Sequence, residues 1–260
     1  MTRLTVTALG AFLLLAAAAA AAADWQGTIS TDGGVTVVTN PETPASGVQR
    51  LQMRELGQDG GDDDEVFFGT IAEFLHDEDG NIYLLDGQLA EIQVFAPDGT
   101  WLRTIGRQGE GPGEFQNASD MFWTPGGEIG VVQAWPGKVV MLTRQGLPGG
   151  TFELPFRDGG GFQSVSRGAG RDQSLILSGT AWTREDGQQL QFTYLKAYDI
   201  SGQELATYVE TSRETRFGNF EFIENEYVDF QRRWAAAPDG RVAAALSFDD
   251  YRIHVWRADG

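Results

Sequence analysis

The chain has 260 residues, no cysteine and a formal net charge of −18. Without cysteine there is no disulfide framework, thiolate catalysis, cysteine-ligated zinc, iron–sulfur cluster or lipid attached to a cysteine. The acidic balance argues against nucleic acid or an anionic membrane surface as partner, since both demand a positive footprint.

Residues 1–23 read as a targeting segment. Arg3 supplies a minimal positive region, Leu4 to Leu15 an apolar core of signal-peptide length, and Ala16–Ala23 the small residues that signal peptidase needs. An uncleaved anchor would need ~20 strongly apolar residues, and alanine barely qualifies. Cleavage is expected near Ala23–Asp24. The mature chain is therefore expected outside the cytoplasm, periplasmic or extracellular, with no stable membrane insertion.

Residues 24–46 are rich in Gly, Thr, Pro and Asn and read as an irregular lead-in. Val48 to Leu56 alternates polar and apolar residues in the manner of an edge strand. An acidic loop with Asp62, Asp63, Asp64 and Glu65 follows.

An internal repeat then begins, with the turn glycines as its ruler. Asp79-Gly80 and Asp98-Gly99 lie 19 residues apart, as do Gly126-Gly127 and Gln145-Gly146, and the second pair follows the first by 47. A third copy, from Asp172-Gln173 to Ser201-Gly202, carries about ten extra residues, and a fourth runs from Asp239-Gly240 to Asp259-Gly260. Between the rulers, Ile82–Leu85 matches Ile129–Val132, Leu175–Leu177 and Val242–Leu246. Ile92–Phe95 matches Val139–Leu142, Tyr194–Tyr198 and Ile253–Trp256. These short runs of β-branched and aromatic residues bounded by Gly, Asp and Pro are strands. Four strands in about 45 residues, repeated, is the signature of propeller blades.

DGNIYLLD at 79–86, IQVF at 92–95, DGT at 98–100, LRTIG at 102–106 and GEGPGEF at 109–115 together resemble an NHL repeat, in particular that of bacterial exported six-bladed β-propellers. The resemblance is strong over 79–115 and weakest at 162–208. It implies an all-β propeller of four-stranded antiparallel blades. The expected boundaries are a lone outer strand at 47–57, blades near 68–106, 115–154 and 162–208, and an incomplete blade at 228–260. Some NHL-type relatives are lyases or hydrolases and many only bind.

The apparent start on an outer strand and stop in a turn leave two readings. The chain is expected to be a truncated six-bladed propeller; the alternative is a closed four-bladed ring in which the first strand completes the last blade.

With strands named a to d from the channel outward, a–b and c–d turns are tight and share one face. The d–a and b–c loops are long and share the other, where function is expected. Gly106–Phe115 lacks both the phosphate-loop spacing and a following helix, so it reads as an inter-blade turn plugged by Phe115. Asp86 reads as a cap of its b–c turn. Trp135 and Trp182 fall in b–c loops of the decorated face, where a Trp stacks on a sugar or a cation if it is not a plug between blades. Arg107 and Glu110 are the polar candidates on the same decorated face.

No catalytic set and no metal set is arguable. His76 and His254, the only histidines, lie in different blades, and His254 reads as packing. The acidic loop at Asp62–Glu65 admits Ca²⁺ but lacks an EF-hand pattern, so solvation is the plainer reading, as it is for Asp249-Asp250. The expectation is thus a binding or scaffold propeller for a protein, peptide or carbohydrate ligand. The alternative is a metal-dependent lyase or hydrolase with carboxylates and His76 at the channel mouth.

Overall fold

The computed structural model describes residues 27–32, 35–42, 68–155, 161–185, 188–214, 230–237, 239–247 and 251–257. The targeting segment, the strand at Val48–Leu56, the acidic loop at Asp62–Glu65, Asp249-Asp250 and the turn at Asp259-Gly260 lie outside them. The chain divides into two units, 1–53 and 54–260.

In the first unit, β1 (Thr28–Asp32) and β2 (Val35–Thr39) form an antiparallel hairpin, from Thr28 opposite Thr39 to Asp32 opposite Val35. This corrects the irregular lead-in expected for residues 24–46. The Gly and Thr content of the segment obscured Val35-Thr-Val-Val-Thr39, a run of β-branched residues with strong strand preference.

The second unit is all-β among the described residues and carries the propeller blades. Blade 1 holds β3 (Ile71–His76), β4 (Ile82–Asp86), β5 (Glu91–Phe95) and β6 (Trp101–Ile105). Blade 2 holds β7 (Ala118–Trp123), β8 (Ile129–Gln133), β9 (Lys138–Leu142) and β10 (Pro148–Glu153). Blade 3 holds β11 (Phe162–Arg171), β12 (Ser174–Glu185), β13 (Gln188–Asp199) and β14 (Glu204–Glu214). Blade 4 holds β15 (Trp234–Ala236), β16 (Val242–Ala244) and β17 (His254–Trp256). Each sheet is an antiparallel meander in chain order.

The core lies in slabs between blades. Leu85, Ile92, Ile105 and Phe115 of blade 1 and its exit loop pack against Met121, Ile129 and Val140 of blade 2. Phe122, Val139 and Phe152 meet Leu175, Leu177 and Tyr194 of blade 3. Ile176, Leu195 and Tyr208 meet Trp234 and Val242 of blade 4. A blade buried on both faces has no polar side to alternate with, which is why its central strands read as continuous apolar runs.

Six of the ruler glycines close the same turn. Gly80, Gly99, Gly127, Gly146, Gly202 and Gly240 each donate an N–H to the carbonyl three residues earlier, and all have positive φ. On the opposite face, Asp86 is fully buried and its carboxylate accepts the N–H groups of Gln88 and Leu89 as the b–c cap. It also accepts those of Gly69 and Thr70, which pins the entry of β3.

Each of the first three inner strands carries a bulge at the same place, with Ala72, Ser119 and Ser166 as the extra residues. These positions are 47 residues apart, like the turns. A bulge re-aims the residue beside it, here Glu73, Asp120 and Arg167.

Blade 3 departs from the others. Its strands run 10 to 12 residues where those of blade 1 run 5 or 6. The extra length of the third repeat therefore lies in pairing strands, and Trp182 sits within β12 instead of in a b–c loop. Its outer strand likewise continues past residue 208 to Glu214.

Candidate functional site

The long-loop face is built from rigid pieces. In the loop after β6, Glu114 accepts the N–H of Gly111 at 2.9 Å and Arg107 Nε at 2.6 Å. Those two donors hold the Glu114 carboxyl below its ordinary pKa. Phe115 is fully buried. Its ring lies over Gly106, where an added Cβ would stand 2.5 Å from it and where φ is +79°. Glu110 accepts a long bond of 3.4 Å from Gln116 Nε2. Arg107 and Glu110 thus sit in a self-bonded inter-blade plug, and no described contact joins them to the two tryptophans.

Trp135 occupies the turn between β8 and β9. Gln133, almost fully buried, takes the Gln116 N–H on its carbonyl at 3.1 Å and directs its amide toward the Trp135 and Pro136 carbonyls. The turn then docks on β11: Gly137 donates to the Gln163 carbonyl at 3.1 Å, and Val165 donates to the Ala134 carbonyl at 3.3 Å. An added Cβ on Gly137 would meet the Val165 nitrogen at 2.9 Å, so this approach requires glycine. The Trp135–Pro136 bond is cis. Trp135 is left 47% exposed with its ring 4.6 Å from Phe162 at 87°.

Phe162 in turn stacks on Trp182 at 4.5 Å and 26°. The blade 3 register explains how they meet. Phe162 pairs with Trp182, Trp182 with Gln191, and Gln191 with Arg213. Directly opposed residues of antiparallel strands share a face of the sheet, so these four side chains form a row across the blade. Arg213 donates Nε and Nη2 to Gln191 Oε1 at 2.9 and 2.8 Å. Two residues inward on that face lie the hydroxyls of Ser164, Thr180, Thr193 and Thr211; two residues outward, Arg184 pairs with Gln189.

A second cluster lies on the inner strands. Asp120 of β7 is buried and accepts the Gly168 N–H of β11 at 2.7 Å. Burial pushes its carboxyl up to about 7, opposed by that N–H and by Arg167, whose Nε is 3.9 Å away, and assisted by the charge of Glu73. Arg167 is further held by the carbonyls of Arg232 and Trp234, both at 3.3 Å, and lies over the Trp234 ring. Ser119 reaches the Ser166 carbonyl. This cluster ties blade 2 to blades 3 and 4.

The structure brings Trp135 and Trp182 together through Phe162, and leaves Arg107 and Glu110 apart from them. Sequence reasoning missed Phe162, Gln191 and Arg213. The repeat ruler stopped at the extra residues of the third copy, and no pattern within GTAWTRE or LQFTY says which residues of the neighbouring strands they face. His76 is exposed at the end of β3, next to the tight a–b turn, while the long loops lie at the other end of the strand. The chain thus does not bring it to the mouth where a lyase-like site was expected. His254 in β17 is half-buried and stacks on Trp256 at 5.8 Å. Among the described residues no group of three or more His, Asp or Glu is placed to hold a metal ion.

A family model described as 6-bladed beta-propeller (DUF5128) matches residues 63–157, the first two blades. This chain is a β-propeller. Solved structures of related shape include an exported-protein candidate of Bacteroides fragilis, 16% identical over 79% of this chain and 52% of its own, with a TM-score of 0.48. The present chain thus spans about half the length of that protein. Another is virginiamycin B lyase of Staphylococcus aureus, 10% identical over 86% of this chain and 74% of its own, with a TM-score of 0.35. A third, a protein of Bacteroides caccae, is 12% identical over 73% and 78%, with a TM-score of 0.33. These likenesses are too distant to say what the present chain binds or acts on. No curated protein matches it in sequence. Among the described residues no helix is long and apolar enough to cross a membrane.

Proposed function

We propose that this chain is an exported, non-catalytic binding propeller of the periplasm or the extracellular space. Its site is the row Phe162–Trp182–Gln191–Arg213 with Trp135 at its end. The observation that carries the reading is the register-matched row itself: aromatic area beside an amide and a guanidinium, on strands about twice as long as the rest of the ring uses. Ligand sites combine apolar surface with a few convergent polar groups, and blade 3 supplies both on one rigid sheet. Trp135 is 47% and Phe162 42% exposed even though the two rings pack on one another, so the contact between them leaves aromatic surface open to a ligand. The leader at residues 1–23 supports export. Ca²⁺ at Asp62–Glu65 is not required by this reading.

Thermal-shift screening of soluble peptides, oligosaccharides and metabolites against the wild type and Trp182→Ala tests the reading. It predicts compounds that raise Tm in the wild type alone. A library with no such compound, compounds that stabilise both chains alike, or turnover that survives repurification would overturn it.

A further inference from the structure

Resting on the binding reading above, we infer that the blade 3 row is a subsite for a neutral oligosaccharide laid across the strands. Four strands about 4.8 Å apart give a row roughly 14 Å long, the length of a di- to trisaccharide. The row is graded along that length. Trp135, Phe162 and Trp182 present aromatic surface at the inner end, and Gln191 and Arg213 present an amide and a guanidinium at the outer end, with Arg184 and Gln189 two residues further along the strands of Trp182 and Gln191.

A pyranose has the matching character: one face of C–H groups, which an electron-rich ring face attracts, and a rim of hydroxyls that planar amide and guanidinium groups bond. Gln191 carries its share of this. Its carbonyl oxygen accepts both Arg213 donors, which orients the amide, and among the described residues its amide nitrogen has no partner.

Two other ligand classes fit less well. Peptides commonly bind sheets through an open backbone edge, but β12 and β13, which carry Trp182 and Gln191, are backbone-paired on both sides. Charge is the second discriminator. A net charge of −18 repels a polyanion at long range, while Arg184, exposed on the face of the row, repels a cationic group set against it. A neutral, hydroxyl-rich ligand meets neither barrier.

The experiment is calorimetric titration of the full chain with cellotriose, maltotriose, xylotriose and triacetylchitotriose and with the corresponding monosaccharides. Wild type, Trp182→Ala and Gln191→Ala are compared, each first shown by unfolding to be folded. The expected result is that at least one trisaccharide binds, that its monosaccharide binds at least about tenfold more weakly, and that each variant loses about tenfold or more in affinity. Salt between ~50 and ~500 mM should change the affinity by less than about twofold, because the ligand is neutral.

If no trisaccharide binds while a peptide or metabolite loses binding in Trp182→Ala, the saccharide class is wrong and the site stands. If a trisaccharide binds the variants as it binds the wild type, the site itself is wrong. A steep salt dependence overturns the neutral-ligand assignment.

Discussion

Phe162 and Trp182 stack with ring centroids 4.5 Å apart although one lies on the innermost strand of blade 3 and the other on the strand beside it. The contact is a cross-strand pair and therefore depends on register. A slip of one residue in either strand would put the two rings on opposite faces of the sheet. The pair should show a coupling of about 0.5–1.5 kcal/mol in a double-mutant cycle. Denaturant unfolding of Phe162→Ala, Trp182→Ala and the double variant measures it, and additive effects would mean that the rings do not interact.

Phe115 should be among the most costly residues to truncate. It is fully buried and plugs the space between blades 1 and 2. Phe115→Ala is expected to cost about 3–5 kcal/mol, read from the urea midpoint at constant slope. Gly106→Ala should also destabilise the chain, because the added Cβ meets the same ring at a backbone angle that disfavours L-residues.

Asp86 joins the b–c turn of blade 1 to the entry of the neighbouring strand β3 through four backbone N–H groups. Burial raises its carboxyl, but those donors outweigh burial and hold it below its ordinary value. Such a group contributes stability that is present above its unfolded pKa, near 3.8, and lost as pH falls through the lower folded value. Asp86→Ala strands the four donors and should cost about 3 kcal/mol or more near neutral pH, since each unsatisfied donor costs ~1–3 kcal/mol unless water reaches it. Equal stability of variant and wild type at neutral pH would contradict the capping role.

Asp120 should act with the opposite sign. Its folded pKa, about 7, lies above its unfolded value of 3.8. Its contribution is most favourable below the unfolded value and is lost as pH rises through the folded one. Between pH 4 and 8 it should therefore make the chain less stable as pH rises, with Glu73 adding to the effect and Arg167 and the Gly168 N–H opposing it. Asp120→Asn should flatten that slope. Unfolding free energies at several pH values check this, and an unchanged slope would show that Asp120 does not titrate in that window.

Much of the architecture was legible because the turns repeat. Gly80, Gly99, Gly127, Gly146, Gly202 and Gly240 need positive φ in the same turn, so they recur at fixed spacing and mark the blades. Asp86 and Phe115 were legible for the same reason, since local capping and plugging keep their sequence neighbourhood. The hairpin at Thr28–Thr39 was not, because Gly and Thr content hid its alternation. The candidate site was legible only in its single residues. Trp135 and Trp182 stand out as single residues, but the row that joins them to Phe162, Gln191 and Arg213 exists only through pairing between four strands. That pairing rests on hydrogen bonds and register, which spacing within one strand does not encode. Asp120 was missed because a lone acid in an apolar strand reads as an exception until the inner-strand bulge places it beside Arg167.

The most direct test of the binding account is the indole N–H spectrum of the ¹⁵N-labelled chain, assigned by single Trp→Phe variants, during titration with the trisaccharide that binds in calorimetry. The account predicts that the Trp135 and Trp182 indole signals shift together and saturate at the calorimetric affinity, while those of Trp101 on the outer strand of blade 1 and buried Trp234 stay in place. Shifts at Trp101 or Trp234 with Trp135 and Trp182 unmoved would contradict it.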